Sequence, residues 1–202
     1  MAGSAYGKGR EYWDKRYKKD EEQFDWYQRY DTLKHILEEV TPKSMDRILM
    51  VGCGNSRMSE HMVEDGYAAT SITNVDISPV VIDQMRKKHP EMDWRVADAT
   101  RMPEFGDRTF DAAIDKGTMD AILCGEGSAE NTEKILSEMA RIIKPGGVFL
   151  LITYGQPKTR LHYLCKEKFG WDVEQRTVAK QAPPGSDEKA DVHYIYICRK
   201  KK

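Results

Sequence analysis

The chain has 202 residues, a length typical of one α/β domain, and 40% of them are apolar and 32% charged. This is the composition of a folded globular protein and not of a disordered segment. The 32 Lys and Arg residues are balanced by 33 Asp and Glu residues, so the chain lacks the basic surplus that binding to nucleic-acid phosphates requires.

The sequence also lacks the features of membrane and metal-binding proteins. No apolar run reaches the ~18 residues of a membrane span, and residues 1–8 contain no apolar signal segment. The four cysteines (Cys53, Cys124, Cys165 and Cys198) are far apart and form no Cys-x-x-Cys pair, so we expect neither a metal site nor a disulfide framework. We therefore expect a cytoplasmic protein with reduced thiols and no membrane contact.

The first forty residues contain eight aromatic side chains and predict two helices. Trp13 and Tyr17 are four residues apart, which is helical spacing, and a second apolar stripe at 33, 36, 37 and 40 ends before Pro42. A loop around residues 20–24 separates the two. We expect residues 1–42 to form cover helices over a core of residues 43–202, with the whole chain making a single domain.

From residue 47 onward, the pattern alternates between strand and helix. Strands are predicted at 48–51, 71–75, 94–97, 110–114 and 148–153, and helices at about 56–65, from 79, and at 131–143. The segment Lys144-Pro145-Gly146-Gly147 is predicted to turn into the fifth strand. Alternation of this kind predicts a parallel sheet with right-handed crossovers.

The C-terminal part of the chain has a different pattern. A helix is predicted around residues 161–169, and two further strands at 173–178 and 194–198 are separated by a polar linker at 183–187 instead of a helix. Strands without an intervening helix are expected to pair antiparallel at one edge. The predicted fold is therefore a Rossmann-like doubly wound α/β sheet, with five parallel strands, an antiparallel C-terminal pair and N-terminal cover helices.

Residues suited to ligand binding follow the predicted parallel strands. Gly52 and Gly54 follow the first strand, where glycine permits a sharp turn and close approach of a ligand. Asp76 follows the second strand and is placed to bind both hydroxyls of a ribose, and Asp98 follows the third, where it could accept from an adenine amine. The segment 115–118 (Asp-Lys-Gly-Thr) follows the fourth strand. In doubly wound sheets, ligands bind at these carboxyl ends.

The glycine spacing favours a nucleoside ligand without phosphates. A dinucleotide fingerprint requires a third glycine three residues after Gly54, and that position is Arg57. The departure suits S-adenosylmethionine, although the position of Asp76 fits either ligand. An NAD-type oxidoreductase is further disfavoured because the catalytic Tyr-x-x-x-Lys motif is absent.

Several segments resemble one methyltransferase family. They are Glu11-Tyr12-Trp13-Asp14-Lys15-Arg16-Tyr17, Phe24-Asp25-Trp26-Tyr27, the segments 48–56 and 75–78, Asp115-Lys116-Gly117-Thr118-Met119-Asp120-Ala121, and Lys144-Pro145-Gly146-Gly147. The chain is similar, from about residue 12 to 198, to the seven-strand methyltransferases that act on lysines of translation elongation factor 1-alpha. The resemblance implies a protein-lysine methyltransferase that uses S-adenosylmethionine. It also implies elongation factor 1-alpha as the partner, and we expect the enzyme to be a monomer.

The resemblance also implies cofactor-binding residues. They are Trp13, Tyr17 and Trp26 of the cover, Gly52 and Gly54 of the glycine loop, Asp76 and Ile77 at the ribose, Asp98 and Ala99 at the adenine, and Lys116 after the fourth strand. Relatives often have Tyr at the position of Ile77, and their segment after Asp120 is longer. Some of these residues also have a structural interpretation: the aromatics as core residues, Asp76 as a helix cap, Asp98 as a turn residue and Lys116 as a solvated side chain.

The residue that would accept the proton of a lysine amine is not identified by the sequence. Asp115 and Asp120 are catalytic candidates, with the alternative that both are surface carboxylates near a helix start. Deprotonating an amine of pKa near 10.4 at neutral pH costs roughly 4 to 5 kcal/mol, so the site must favour the neutral amine. A small-molecule methyltransferase of the same fold and a non-catalytic cofactor-binding module stay open as alternatives.

Overall fold

The computed structural model describes residues 5–180 and 191–202, so the predicted linker at 183–187 lies outside the described residues. Seven strands form one sheet in the order β3-β2-β1-β4-β5-β7-β6. The strands are β1 Ile48–Val51, β2 Ile72–Asp76, β3 Asp93–Val96, β4 Phe110–Lys116, β5 Ile143–Thr153, β6 Trp171–Ala179 and β7 Val192–Lys200.

The predicted strand directions are confirmed. Strands β1 to β5 pair parallel to one another, whereas β7 pairs antiparallel with both β5 and β6. The strand order reverses beside β1, where Val51 is in register with Val75 of β2 on one side and with Asp115 of β4 on the other. The carboxyl ends of these three strands therefore open into one crevice, as expected at the switch point of a doubly wound sheet.

The helices lie on both faces of the sheet and include one for which the sequence analysis gave only a start near Asp115 and Asp120 and no extent. They are α1 Arg10–Lys19, α2 Tyr30–Val40, α3 Met58–Glu64, α4 Pro79–Lys88, α5 Thr118–Leu123, α6 Ser128–Ile142 and α7 Pro157–Leu164. The helix without a predicted extent is α5, whose six residues span less than two turns and so give no readable apolar period. No helix among the described residues is long and apolar enough to cross a membrane.

The two predicted N-terminal helices have different locations. Helix α2 packs on the sheet, where Leu33, Ile36 and Leu37 are fully buried in one cluster with Ile48 and Met50 of β1. Burying each such side chain contributes about 1.5–3 kcal/mol, so α2 is part of the core. Helix α1 has one buried residue, Tyr17, and lies against α4 at the edge of the crevice. The cover is therefore formed by α1 and its flanking segments.

Strand β5 begins earlier than its apolar pattern predicts. Ile143 pairs with Phe110, and pairing then resumes at Val148 opposite Ala112, so residues 144–147 are accommodated as an irregularity in the ladder. Gly146 has a left-handed φ of 78°, which bends the chain there. The Lys-Pro-Gly-Gly segment is thus a bulge within a strand and not a turn before one.

Candidate active site

A cavity of about 610 Å³ lies at the carboxyl ends of β1, β2, β3 and β4, within the range typical of small-molecule sites. The structure brings together at this cavity every residue that the sequence analysis proposed for the cofactor: Trp13, Tyr17, Trp26, Gly52, Gly54, Asp76, Ile77, Asp98, Ala99 and Lys116. The cavity is therefore the candidate active site, and its walls come from the sheet ends, α1, α5 and the loop between α1 and α2.

The glycine loop after β1 is shaped by two close contacts. Gly52 and Gly54 have left-handed φ angles of 57° and 51°. A Cβ on Gly52 would lie 1.9 Å from the hydroxyl oxygen of Thr118, and a Cβ on Gly54 would lie 2.6 Å from the phenol oxygen of Tyr17. Any side chain at either position would disrupt this packing, which is a physical reason for glycine at both.

Asp76 lies at the end of β2 with a nearly buried carboxylate, 7% exposed. Its two oxygens accept hydrogen bonds from the backbone N–H groups of Gly54 and Ser78, each at 2.9 Å. Burial raises the pKa of this carboxyl to about 6. Each oxygen retains acceptor capacity toward the cavity, so Asp76 can both stabilise the loop and accept from ligand hydroxyls. The predicted cap at the start of α4 is present as well, because the Ser78 hydroxyl accepts from the N–H of Val81 at 3.4 Å.

The residues after β2 and β3 form another wall of the cavity. Ile77 and Ala99 line it, and Ala99 is buried. The exposed Asp98 carboxylate accepts hydrogen bonds from the N–H of Thr100 at 2.9 Å and from its hydroxyl at 2.7 Å. Asp98 is therefore a turn residue, and it also lines the cavity, so its two predicted roles are compatible in this geometry.

Aromatic side chains of the N-terminal segments form the roof. Trp13 stacks on Tyr17 with ring centroids 5.9 Å apart, and Tyr6 meets Trp26 edge to face at 5.3 Å. Two polar contacts hold α1 to α4. The Ser78 hydroxyl donates to Asp14 at 2.5 Å, and the side-chain amide of Gln84 donates to the backbone oxygen of Tyr17 at 3.0 Å. The roof is therefore attached at the edge of the proposed ribose site.

The Lys116 side chain is buried and forms hydrogen bonds with the loop between α1 and α2. Its ammonium donates to the carboxylate of Asp25 at 3.0 Å and to the backbone oxygen of Trp26 at 3.1 Å. Asp25 also accepts from the hydroxyl of Ser56 in the glycine loop. Burial lowers the pKa of Lys116. The role of Asp25 was not predicted from the sequence, although it lies within one of the resembling segments.

The two catalytic candidates are both buried and occupy different places. Asp115 is fully buried beneath the start of α5, where it accepts from the N–H groups of Thr118 at 2.8 Å and Met119 at 3.0 Å. Burial raises the pKa of Asp115 to about 7. Asp120 lines the cavity and pairs with the guanidinium of Arg160 at 2.7 Å. The alternative of surface carboxylates is wrong for both residues, and only Asp120 of the two lines the cavity.

Sequence reasoning missed three side chains at this end of the cavity. Tyr27 and Tyr154 line it, and Arg160 lies behind Asp120. Tyr154 directly follows the fifth strand, so its place at a strand end was a usable signal. No local pattern marks Arg160, because its partner is forty residues away in the chain.

The cavity suits a ligand that joins a nucleoside to an amino acid. Its glycine loop offers backbone at close range, Asp76 offers acceptors for hydroxyls, and the roof is aromatic. Among the described lining residues, Lys116 is the single Lys or Arg, and its charge is already paired with Asp25. A phosphate would find no free cation there, so these residues fit S-adenosylmethionine better than a dinucleotide.

Comparison with known proteins agrees with the fold. Residues 49–151, just over half of the chain, match the family model of a methyltransferase domain. An S-adenosylmethionine-dependent methyltransferase from Methanosarcina mazei superposes with a TM-score of 0.67 at 16% identity, covering 88% of this chain and 99% of that one. A second, from Archaeoglobus fulgidus, gives 0.61 at 18% identity, with 84% and 94% covered. The chain is an S-adenosylmethionine-dependent methyltransferase with the Rossmann-like fold of this class.

Within that class, the chain belongs to the family of EEF1A lysine methyltransferase 4. The mouse protein of that name is 33% identical over 181 residues, which cover 83% of this chain and 69% of the mouse protein. The human eEF1A lysine and N-terminal methyltransferase is 35% identical over 179 residues, or 84% of this chain. The chain spans only 25% of the length of that second relative.

Proposed function

We propose that this enzyme methylates the side-chain amine of a lysine on a folded protein, and that the acceptor is elongation factor 1-alpha. The observation that carries the proposal is the 33% identity over 83% of the chain to a relative named for lysine methylation of that factor. Such a substrate would place the enzyme in the cytoplasm. We propose that it acts as a monomer.

The shape of the site supports a protruding side chain as acceptor. Phe24 and Tyr154 line the cavity and are half exposed, at 50% and 48%, so the cavity reaches the protein surface between aromatic side chains. Helix α1 and its neighbouring segments are the only cover in the described part of the chain. An opening of this kind admits a lysine side chain from a folded surface.

We propose a cofactor-binding role for each of the predicted residues. We propose that Gly52, Gly54 and Asp76 hold the ribose and amino-acid parts, and that Ile77, Asp98 and Ala99 hold the adenine. Trp13, Tyr17 and Trp26 cover the ligand and exclude water. Lys116 acts mainly through Asp25. Their ion pair holds the loop between α1 and α2, which we call the roof loop, against the glycine loop.

The protein contributes to the reaction mainly by positioning the acceptor amine and the methyl group. Bound S-adenosylmethionine supplies a methyl group already activated on a sulfonium. The chain must align a neutral amine with that methyl group and exclude water from it, and alignment of this kind provides most of the rate. The aromatic walls desolvate the amine and thereby favour its neutral form.

The test is methylation of recombinant elongation factor 1-alpha with isotopically labelled S-adenosylmethionine, followed by mass spectrometry of the modified peptide. We expect labelling of one lysine in the folded factor and much less in heat-unfolded factor, because docking contributes to binding. A panel of small amines and thiols is assayed in parallel. Methylation of a small molecule at comparable efficiency, with the folded factor unlabelled, would overturn the acceptor assignment and leave the methyltransferase class unchanged.

A further inference from the structure

Tyr27 is held in an unusual backbone conformation at the wall of the cavity. Its φ is 64°, in the left-handed region that non-glycine residues rarely adopt. The N–H of Gln28 donates to the backbone oxygen of Trp26 at 2.8 Å, across a single residue. A bond of this span around a residue with positive φ defines a γ-turn of the rare, strained kind. Such outliers persist only where the surroundings impose them.

Side-chain contacts fix both ends of this γ-turn. On one side, the Lys116 ammonium donates to the backbone oxygen of Trp26. On the other, the side-chain amide of the buried Gln28 donates to the backbone oxygen of Ala179 at 2.8 Å and lies 3.0 Å from Nδ1 of His193. The turn thus joins the roof loop to β4, β6 and β7, and this presents the Tyr27 ring to the cavity.

The Tyr27 ring packs at the end of the cavity that is formed by residues after β4 and β5. A Cβ on Gly117 would lie 3.1 Å from Cε2 of Tyr27, so the ring lies directly against the glycine that precedes α5. The ring meets Tyr154 edge to face, with centroids 6.0 Å apart. Burial and the nearby charge of Asp120 raise the pKa of the Tyr27 phenol well above its ordinary value. The phenol therefore keeps its proton, and Asp120 lines the same cavity.

The charge of Asp120 is neutralised by Arg160, and hydrogen bonds hold its carboxylate in place. One carboxylate oxygen accepts from the Arg160 guanidinium at 2.7 Å and from the Thr153 hydroxyl at 2.6 Å, and the other accepts from the N–H of Tyr154 at 3.3 Å. Both charged side chains of the pair are almost fully buried, at 3% and 6% exposed. A Cβ on Gly155 would lie 2.1 Å from the guanidinium carbon, so glycine makes room for this pair.

We propose that Tyr27 is the residue that positions the acceptor amine, with its phenol oxygen accepting an N–H of the amine while its own proton is donated to Asp120. Asp120 is then a positioning residue that acts through Tyr27, and Arg160 keeps this end of the cavity electrically neutral. The inference rests on the proposed lysine acceptor and adds the residues that would recognise its amine.

The net charge beside the acceptor amine affects the methyl transfer, because the amine must lose a proton before it can react. The ammonium of the acceptor first gives a proton to solvent, and the amine lone pair then forms the N–C bond as the C–S bond of the donor breaks. The positive charge passes from sulfur to the methylated nitrogen. An unpaired carboxylate beside the amine would stabilise the ammonium and raise its pKa, which opposes the first step. The Asp120–Arg160 pair removes that effect while still anchoring the phenol.

The other charged groups around Tyr27 in the described part of the chain are compensated or buried. Lys116 is paired with Asp25, Asp115 is fully buried beneath α5, and burial lowers the pKa of His193. The charge of Asp120 contributes to raising the pKa of Asp115 and of His193. The variants are therefore compared again in an Asp115→Asn/His193→Gln background, where neither group titrates and a shift reports on the Asp120–Arg160 pair.

The decisive measurement is the pH dependence of kcat for methylation of folded elongation factor 1-alpha. In Asp120→Asn, the unpaired Arg160 charge should move the ascending limb of the profile to lower pH by about one unit. The double variant Asp120→Asn/Arg160→Gln restores neutrality and should return the limb toward its original position. Arg160→Lys keeps the charge and is the matched control, with the limb unchanged. Tyr27→Phe should lower kcat about 3- to 10-fold, the effect of one lost hydrogen bond.

The alternative, in which Asp120 itself accepts the proton, gives a different pattern. Loss of a general base typically lowers kcat by about 10²- to 10⁴-fold. A loss of that size in Asp120→Asn, with the limb unmoved and no recovery in the double variant, would overturn the proposal. Thermal melting of each variant, together with calorimetric binding of S-adenosylhomocysteine, identifies any variant that has not folded.

A binding measurement tests the inference without turnover and without the elongation factor. The whole chain is labelled with fluorotyrosine, and the fluorine resonance of Tyr27 is assigned by its loss in Tyr27→Phe. Titration with n-butylamine, a mimic of the lysine side chain, should shift this resonance in the unmutated chain loaded with S-adenosylhomocysteine, and n-butanol should shift it less. An unchanged Tyr27 resonance would refute the inference. Failure of the unmutated enzyme to methylate the factor would refute only the proposed acceptor.

Discussion

The Lys116 ammonium lies 3.0 Å from the carboxylate of Asp25, and the two side chains are only 6% and 7% exposed. This buried ion pair joins the end of β4 to the loop between α1 and α2. Because Asp25 also accepts from Ser56 in the glycine loop, one carboxylate connects three segments of the active site. The pair therefore links the stability of the fold to the position of the roof.

Breaking this pair should destabilise the protein strongly. Asp25→Ala leaves the Lys116 charge buried without its partner, a change that typically costs about 3–5 kcal/mol. The double variant Asp25→Leu/Lys116→Met removes both charges and should recover most of that loss. Urea denaturation measures both effects. Glu130→Ala removes the partner of Lys134 in an exposed pair and should change stability little. Equal effects of Asp25→Ala and Glu130→Ala would contradict the assignment.

Cofactor binding should release a proton at mildly acidic pH. The Asp76 carboxyl has a pKa of about 6 in the free protein, and hydroxyl donors from the ligand favour its ionised form, which lowers that pKa. Affinity is then full above about pH 6 and declines as the pH falls below it. Calorimetry of S-adenosylhomocysteine binding in buffers with different ionisation enthalpies measures the released proton.

The variant Asp76→Asn tests the same group. It should weaken binding by about 1.5–3 kcal/mol and remove the proton release. Asn is preferable to Ala because its amide oxygen still accepts from one of the two backbone N–H groups that Asp76 now serves. Asp83→Asn, at an exposed site on α4, is the matched control. Proton release that persists in Asp76→Asn would assign the titration to another group.

Closure of the N-terminal segment depends on two glycines. A Cβ on Gly7 would lie 2.3 Å from the backbone of Gly125, and a Cβ on Gly125 would lie 2.6 Å from the oxygen of Gly7. Gly7→Val should therefore separate the segment from the end of α5, weaken binding of S-adenosylhomocysteine and speed its dissociation. Gly106→Ala is the control, because its Cβ would have only a normal contact at 3.6 Å. Stopped-flow dissociation rates that match for both variants would show that this contact does not retain the ligand.

The pH dependence of stability should report Asp115. Its pKa in the folded protein, about 7, is above the ordinary value, so its contribution to stability is full below about pH 4 and is lost as the pH rises through 7. Asp115→Asn cannot ionise, yet its amide oxygen can still accept from the start of α5. Its free energy of unfolding should therefore fall less than that of the unmutated chain between about pH 5 and pH 8. Parallel pH profiles for the two proteins would assign the dependence elsewhere.

Most of the fold could be predicted because it rests on local patterns. Each buried strand of the parallel sheet is a short apolar run, and the residue needed at its end follows it directly in the chain. Gly52 after β1 and Asp76 at the end of β2 were identified for this reason, since parallel strands bring their carboxyl ends to one edge. The extent of the short helix α5 and the early start of β5 were not predicted, because six residues give no clear period and a bulge interrupts the strand pattern.

The sequence by itself therefore determined the sheet, the location of the crevice and the residues at the strand ends. Only the tertiary structure decided which charges meet. Asp25 and Lys116 are 91 residues apart, and Asp120 and Arg160 are 40 apart. Charged residues carry no local signal of their partners, because an ion pair forms wherever folding places two side chains together out of water. For the same reason, the sequence did not distinguish the roles of Asp115 and Asp120. In the fold, Asp115 caps the start of α5 from beneath, and Asp120 lies at the cavity wall.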